Sequence, residues 1–136
     1  MYQFAGFFAK PPIEPPATLP SGVVWRAISA PFAGIGVRVS SLIGQSPQRD
    51  EVEILARKLS LLSALEVLYL TYDCWGGGID YVYGLGVRED TAFGPVEESD
   101  VTKTKQVYLT LMNEFGVSPD DALRFPPFVR GFWGEF

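Results

Sequence analysis

Residues 72–84 read YDCWGGGIDYVYG, and the register of the hairpin they form decides the fold around them. Aromatic and β-branched residues flank three glycines, so LEVLYLTYD (65–73) and IDYVYGLGV (79–87) read as two antiparallel strands. A two-residue turn at Gly76-Gly77 suits a type I′ hairpin. It sets Cys74 opposite Ile79, Tyr72 opposite Tyr81, Leu70 opposite Tyr83 and Leu68 opposite Leu85, which makes a continuous apolar face. The other face then pairs Asp73 with Asp80, Thr71 with Val82 and Tyr69 with Gly84. A three-residue turn would instead set Trp75 against Ile79 and Asp73 against Tyr81, mixing polar with apolar on both faces. Burial of one face specifies register, so the two-residue turn is expected.

That register carries a cost. Two aspartates directly opposed destabilise a strand pair by roughly 0.2–1 kcal/mol. A nearby arginine, a bound cation, a basic partner or simple screening by water would offset it. Gly84 and Gly86 fall on the aspartate face and leave room for another backbone, a helix or the Tyr69 ring.

Upstream, SPQRDEVEILARKLSLL (46–62) reads as a helix. Ser46 suits the N-cap and Pro47 the first turn, Asp50 and Glu51 face the positive end of the dipole, and Val52, Leu55, Leu59 and Leu62 form one apolar stripe. Glu53 and Arg57 have favourable i,i+4 spacing. YQFAGFFA near the N-terminus, VVWRAISA (23–30) and IGVRVS (35–40) read as strands, the last two as a hairpin or one bent strand. KPPIEPPATLP (10–20) is an extended surface connection. Downstream, 88–99 reads as a polar, acidic loop. A second helix follows over 101–115, opened by Ser99 or Asp100, with Thr104, Tyr108, Leu111 and Phe115 on its apolar face and Gly116 as its left-handed cap. Ser118-Pro119-Asp120-Asp121 starts a short helical turn, and the aromatic tail FPPFVRGFWGEF either staples onto the sheet or docks on another subunit. The elements do not alternate strictly. They imply a single α+β domain over 1–136, a mainly antiparallel sheet of four to five strands with two helices packed on one face.

Composition narrows the chemistry. The chain has 136 residues, 47% of them hydrophobic, a net charge of −5, no histidine and one cysteine. Without imidazole there is no Ser–His or Cys–His catalysis and no usual zinc or haem ligand set. One cysteine excludes an internal disulfide and fits a reducing, cytoplasmic setting. The acidic balance disfavours nucleic acid and anionic membrane surfaces. The apolar run LLSALEVLYL (61–70) is too short to span a bilayer, and the N-terminus lacks the basic start of a secretory signal. Cys74 has no base to activate it, so it is expected on the core face. Asp73 and Asp80 lie too near each other for an inverting glycosidase pair. No EF-hand, Walker or complete dinucleotide-binding spacing occurs.

What remains is a protein that acts by contact: a small acidic, non-catalytic binding protein, of the immunity or inhibitor kind, that neutralises a basic protein partner without a cofactor. Asp73, Trp75, Asp80, Tyr81, Glu89 and Asp90 are its expected binding residues, on the hairpin tip and the acidic loop 89–100. Trp75 lies at a turn, where its own chain can bury it least, and tryptophan is a frequent interface anchor. Acidic groups around it would steer a basic partner inward. The alternatives are a structural homodimer or other homo-oligomeric subunit, and a histidine-free enzyme using carboxylates or a metal.

Overall fold

Alternation along the strands builds a sheet with two covered faces. The computed structural model describes residues 2–45, 47–75, 78–88, 91–125 and 131–133, with Trp75 described in its backbone only. In chain order the elements are β1 (Tyr2–Lys10), β2 (Val23–Ile28), β3 (Gly34–Val39), α1 (Arg49–Lys58), β4 (Glu66–Trp75), β5 (Gly78–Arg88), β6 (Thr91–Glu98), α2 (Thr104–Glu114) and α3 (Pro119–Leu123). The strands form one sheet in the order β2-β3-β1-β4-β5-β6, and every neighbouring pair is antiparallel. The α+β class stands, with six strands rather than four to five. Residues 23–28 and 34–39 pair with each other and so do not form one bent strand.

The helices sit on opposite faces, not on one. Phe4, Phe8, Leu68, Leu70, Tyr72 and Val82 meet Tyr108, Leu111 and Met112 of α2, and Phe115 just beyond it. Phe7, Val37, Tyr69, Tyr83 and Leu85 meet Val52 and Ala56 of α1, with Leu59 and Leu61 just beyond it. The reason lies in the central strands. In β1 every residue from Phe4 to Ala9 is buried, so both of its faces need a cover. A strand buried on both sides reads as a continuous apolar run.

The described part of the C-terminal segment lies on the α2 face. Trp133 stacks on Phe4 at 5.4 Å between ring centroids, and Phe125 meets Phe8 edge-on at 5.0 Å. Gly36 makes the approach of Trp133 possible, because a Cβ there would stand 2.7 Å from the indole.

Helix α1 is shorter than the expected 46–62. Ser46 lies outside the described residues, and Gln48 occupies the N-cap without a side-chain bond. The helix stops at Lys58 because Ser60 takes a left-handed backbone (φ 61°) and a 3-10 turn follows. Leu61 is therefore buried and Leu62 turns outward, 38% exposed. The ion pair formed on the helix surface joins Arg49 and Glu53 at 3.0 Å.

Helix α2 keeps its expected apolar face, but it starts at Thr104 rather than 101, with Lys103 and not Ser99 or Asp100 at its N-cap and no side-chain cap bond, because 101–103 form a separate turn. The Asp100 carboxylate accepts the Thr102 amide and hydroxyl at 2.9 and 2.6 Å, ordering the entry turn. Gly116 (φ +89°) ends the helix in a Schellman arrangement, with the Val117 amide bonded to the Met112 carbonyl and the Gly116 amide to that of Asn113. Ser118 caps α3 by accepting the Asp121 amide at 3.3 Å.

The C-terminus of α2 is also held from the sheet. Glu66 stands between Lys10 (3.3 Å) and Arg88 (3.6 Å), neighbours across β1, β4 and β5. Lys10 donates to the Phe115 carbonyl and Arg88 to the Glu114 carbonyl. Two cations thus meet the negative end of the helix dipole.

The expected loop 88–99 is largely strand β6. Its proline does not prevent this, because β6 is an edge strand and needs no inward N–H at Pro95. Gly94 (φ +87°) and Pro95 lie where the register with β5 shifts. Among the described residues no helix is long and apolar enough to cross a membrane.

Candidate functional site

The hairpin satisfies both turn registers in succession. At the tip Trp75 pairs with Gly78 and Cys74 with Ile79, as a two-residue turn requires. From Asp73 onward the partner shifts by one, giving Asp73–Tyr81, Tyr72–Val82, Leu70–Gly84 and Leu68–Gly86. Asp80 is the residue left over, a β-bulge. The bulge removes the expected Asp73–Asp80 opposition. It also keeps Cys74 and Ile79 on the α2 face together with Tyr72 and Val82. The two aspartates end on opposite sides of the sheet: Asp73 shares the α1 face with its partner Tyr81, and Asp80 enters a cleft on the α2 face.

The glycines of β5 serve the α2 face. A Cβ on Gly84 would stand 2.6 Å from Leu111 of α2, and one on Gly86 would fall inside the Phe93 ring. Tyr69 does not use this space. It is buried on the other face, edge-on to Phe7 at 5.1 Å.

The cleft, of about 460 Å³, lies between the hairpin tip, the start of α2 and the end of α3. Two hydrogen bonds fix its walls. The Thr104 hydroxyl donates to the Ile79 carbonyl and ties the first turn of α2 to the bulge. The Tyr108 hydroxyl donates to the Ala122 carbonyl at 2.6 Å and ties α3 to α2. Tyr72 and Tyr108, both buried, supply an aromatic wall. Val101 and Leu123 line the opening and are 62% and 54% exposed. Lys105 also lines it and is exposed.

Asp80 is the unusual member. Its Oδ2 is buried and accepts no hydrogen bond among the described residues, nor does Asp80 form an ion pair there. Cys74, also lining the cleft, is half-buried. Burial first, then the charges of Asp80 and Asp73, push its thiol up to about 11. A protonated thiol with no base beside it is no nucleophile at neutral pH. Among the described residues no three His, Cys, Asp or Glu side chains gather as a metal site would require.

The remaining expected residues fall as follows. Tyr81 donates its hydroxyl to Glu97 of β6 at 2.5 Å. Trp75 ends β4, and its side chain lies outside the described residues, as do Glu89 and Asp90 altogether. Arg88 and Thr91, which flank those two acids, pair at the end of the sheet away from the hairpin tip. Among the described residues 91–98 are strand rather than an acidic loop beside the tip. Only the strand's last part reaches there: Glu98 pairs in register with Val82, and its carboxylate accepts the Ser99 and Asp100 amides. The Thr102 hydroxyl and amide hold the Asp100 carboxyl below the usual carboxylate range. The sequence reading missed the contribution of Thr104, Lys105, Val101 and Leu123. The one signal was Thr104, a hydroxyl on an otherwise apolar helix face.

Comparison of the chain with protein-family models, with curated proteins and with solved structures found no match.

Proposed function

We propose that this chain is a small acidic, non-catalytic binding protein that holds a basic protein partner against the hairpin-tip end of its sheet, in the manner of an immunity or inhibitor protein. The observation that carries this reading is the grouping of charge. Asp73, Asp80, Glu97, Glu98 and Asp100 share that end of the sheet and outnumber the cations beside them among the described residues: Lys103, Lys105, Arg38 next to Gln3, the strand partner of Asp73, and Arg49 beside Glu97. Part of this charge is already directed inward: Lys103 lies 4.0 Å from Asp100, and Glu97 accepts the Tyr81 hydroxyl. The Glu98 carboxylate accepts two amides of its own turn, and Asp73 and Asp80 have no such bond or ion pair among the described residues. A concentrated field of one sign raises the encounter rate with an oppositely charged protein. The separation of Asp73 from Asp80 by the sheet weighs against paired-carboxylate catalysis.

The test is affinity capture from the source cell, with the retained protein identified. The reading expects a basic protein that is released as salt screens surface charge and is no longer held by a Glu97→Lys/Glu98→Lys variant. Capture of no protein, of an acidic one, or of a basic one indifferent to both salt and charge reversal would discard it.

A further inference from the structure

We propose that the cleft beneath the Asp80 bulge receives one arginine side chain of the basic partner. This rests on the binding reading above and names its anchor. Three features of the cleft converge on a guanidinium. An ionised carboxylate has two oxygens that expect donors, and burying one without a donor is unfavourable. Asp80 Oδ2 is in that state, so the cleft is arranged for a donor that the described residues do not supply. Arginine offers parallel N–H groups matched to a carboxylate. Tyr72 and Tyr108 back the cleft with buried rings, and this low-dielectric wall strengthens a carboxylate–guanidinium pair formed against it. The apolar part of the lining, Ile79 with the exposed Val101 and Leu123, suits the aliphatic stem that precedes the charged group.

Lys105 sharpens the idea. It lines the same opening, yet no ion pair joins it to Asp80 among the described residues. Both charges line one cleft, so a visiting guanidinium meets Lys105 there as a like charge. Lys105 is therefore a competitor of the ligand, and removing its charge strengthens binding. A cleft built for an anion would respond in the opposite way.

The experiment is an amide-resolved NMR titration of the full chain with N-acetylarginine methylamide and with its neutral citrulline counterpart. Saturable shifts are expected at Ile79, Asp80, Val101 and Thr104. Citrulline, which keeps the shape and loses the charge, should bind at least about fivefold more weakly, in line with the strength of charge-assisted hydrogen bonds. Asp80→Asn should abolish saturation while leaving distant amides unmoved, and Lys105→Gln should tighten binding by about two- to threefold, the size of one screened surface charge. The proposal is overturned by unsaturable shifts scattered over the acidic surface, by equal binding of citrulline, or by weaker binding in Lys105→Gln. The citrulline comparison uses the unaltered protein, so it decides the matter even if Asp80→Asn folds poorly. If the captured partner responds to Glu97 and Glu98 reversal but arginine fails here, the anchor alone is wrong. If no basic protein is captured, the binding reading itself falls.

Discussion

Raising the pH should unfold this protein from within. Tyr69, Tyr72 and Tyr108 are at most 2% exposed, and burial is the leading cause that pushes each hydroxyl above its ordinary value. An unfolded chain releases these protons near pH ~10. The native chain keeps them, so above that pH the unfolded state binds fewer protons and stability falls as pH rises. Below it the contribution is complete. Each retained proton changes stability by about 1.4 kcal/mol per pH unit, and three together by about 4 kcal/mol per unit. A domain of this kind has on the order of 5–15 kcal/mol to lose. Unfolding should therefore be reached within about one to four units above the tyrosine range. Urea unfolding followed by circular dichroism between pH 8 and 12 gives the slope, and tyrosinate absorbance gives the ionisation. The expected result is a flat region, then a steep fall, with at least three of the six tyrosines ionising only as the chain unfolds. Smooth native-state titration of all six, with stability unchanged beyond pH 10, would refute the burial argument.

Three further outcomes follow from particular contacts. Glu66→Gln removes the charge between Lys10 and Arg88; because the Lys10 and Glu66 side chains are only 22% and 26% exposed, the loss should be about 1–2 kcal/mol, above that of a surface pair, read as a lower urea midpoint at constant slope. An unchanged midpoint would show that the α2 carbonyls alone hold both cations. Gly86→Ala should cost about 1–3 kcal/mol by displacing the Phe93 ring, and Phe93→Leu in the same chain should cost less than the sum of the two changes; strict additivity would place the ring elsewhere. Cys74, with its thiol raised to about 11, should react with iodoacetamide at neutral pH roughly a hundredfold more slowly than in the urea-unfolded chain. Equal rates would mean that the thiol meets water freely.

The sequence was legible wherever one local force dominated. Helix α2 was readable because its buried face and terminal glycine agreed, although Asp100 orders the turn before the helix and does not cap it. The staple of Trp133 was one of two readings open to an aromatic tail, and Gly36 settles it by admitting the indole. Errors arose where two forces compete. Helix α1 carried apolar residues as far as Leu62, but the left-handed Ser60 ended the helical period before it got there. Strand β6 was hidden by Pro95 and its acids, which are tolerated because they lie on an edge. The hairpin posed an either/or that a bulge resolves, since one extra residue lets the tip keep one register and the body another. The cleft was the least legible, because residues distant in sequence form it. Asp80 was visible as a candidate, but the burial of its Oδ2 without a partner among the described residues arises at a bulge that Thr104 ties to α2.

The most direct measurement is the association and dissociation kinetics of the captured basic partner with wild type, Asp80→Asn and Glu97→Lys/Glu98→Lys. If the acidic end steers and Asp80 anchors, charge reversal will slow association, and Asp80→Asn will leave association nearly intact while speeding dissociation about tenfold or more. Identical dissociation for wild type and Asp80→Asn would contradict the account at its centre.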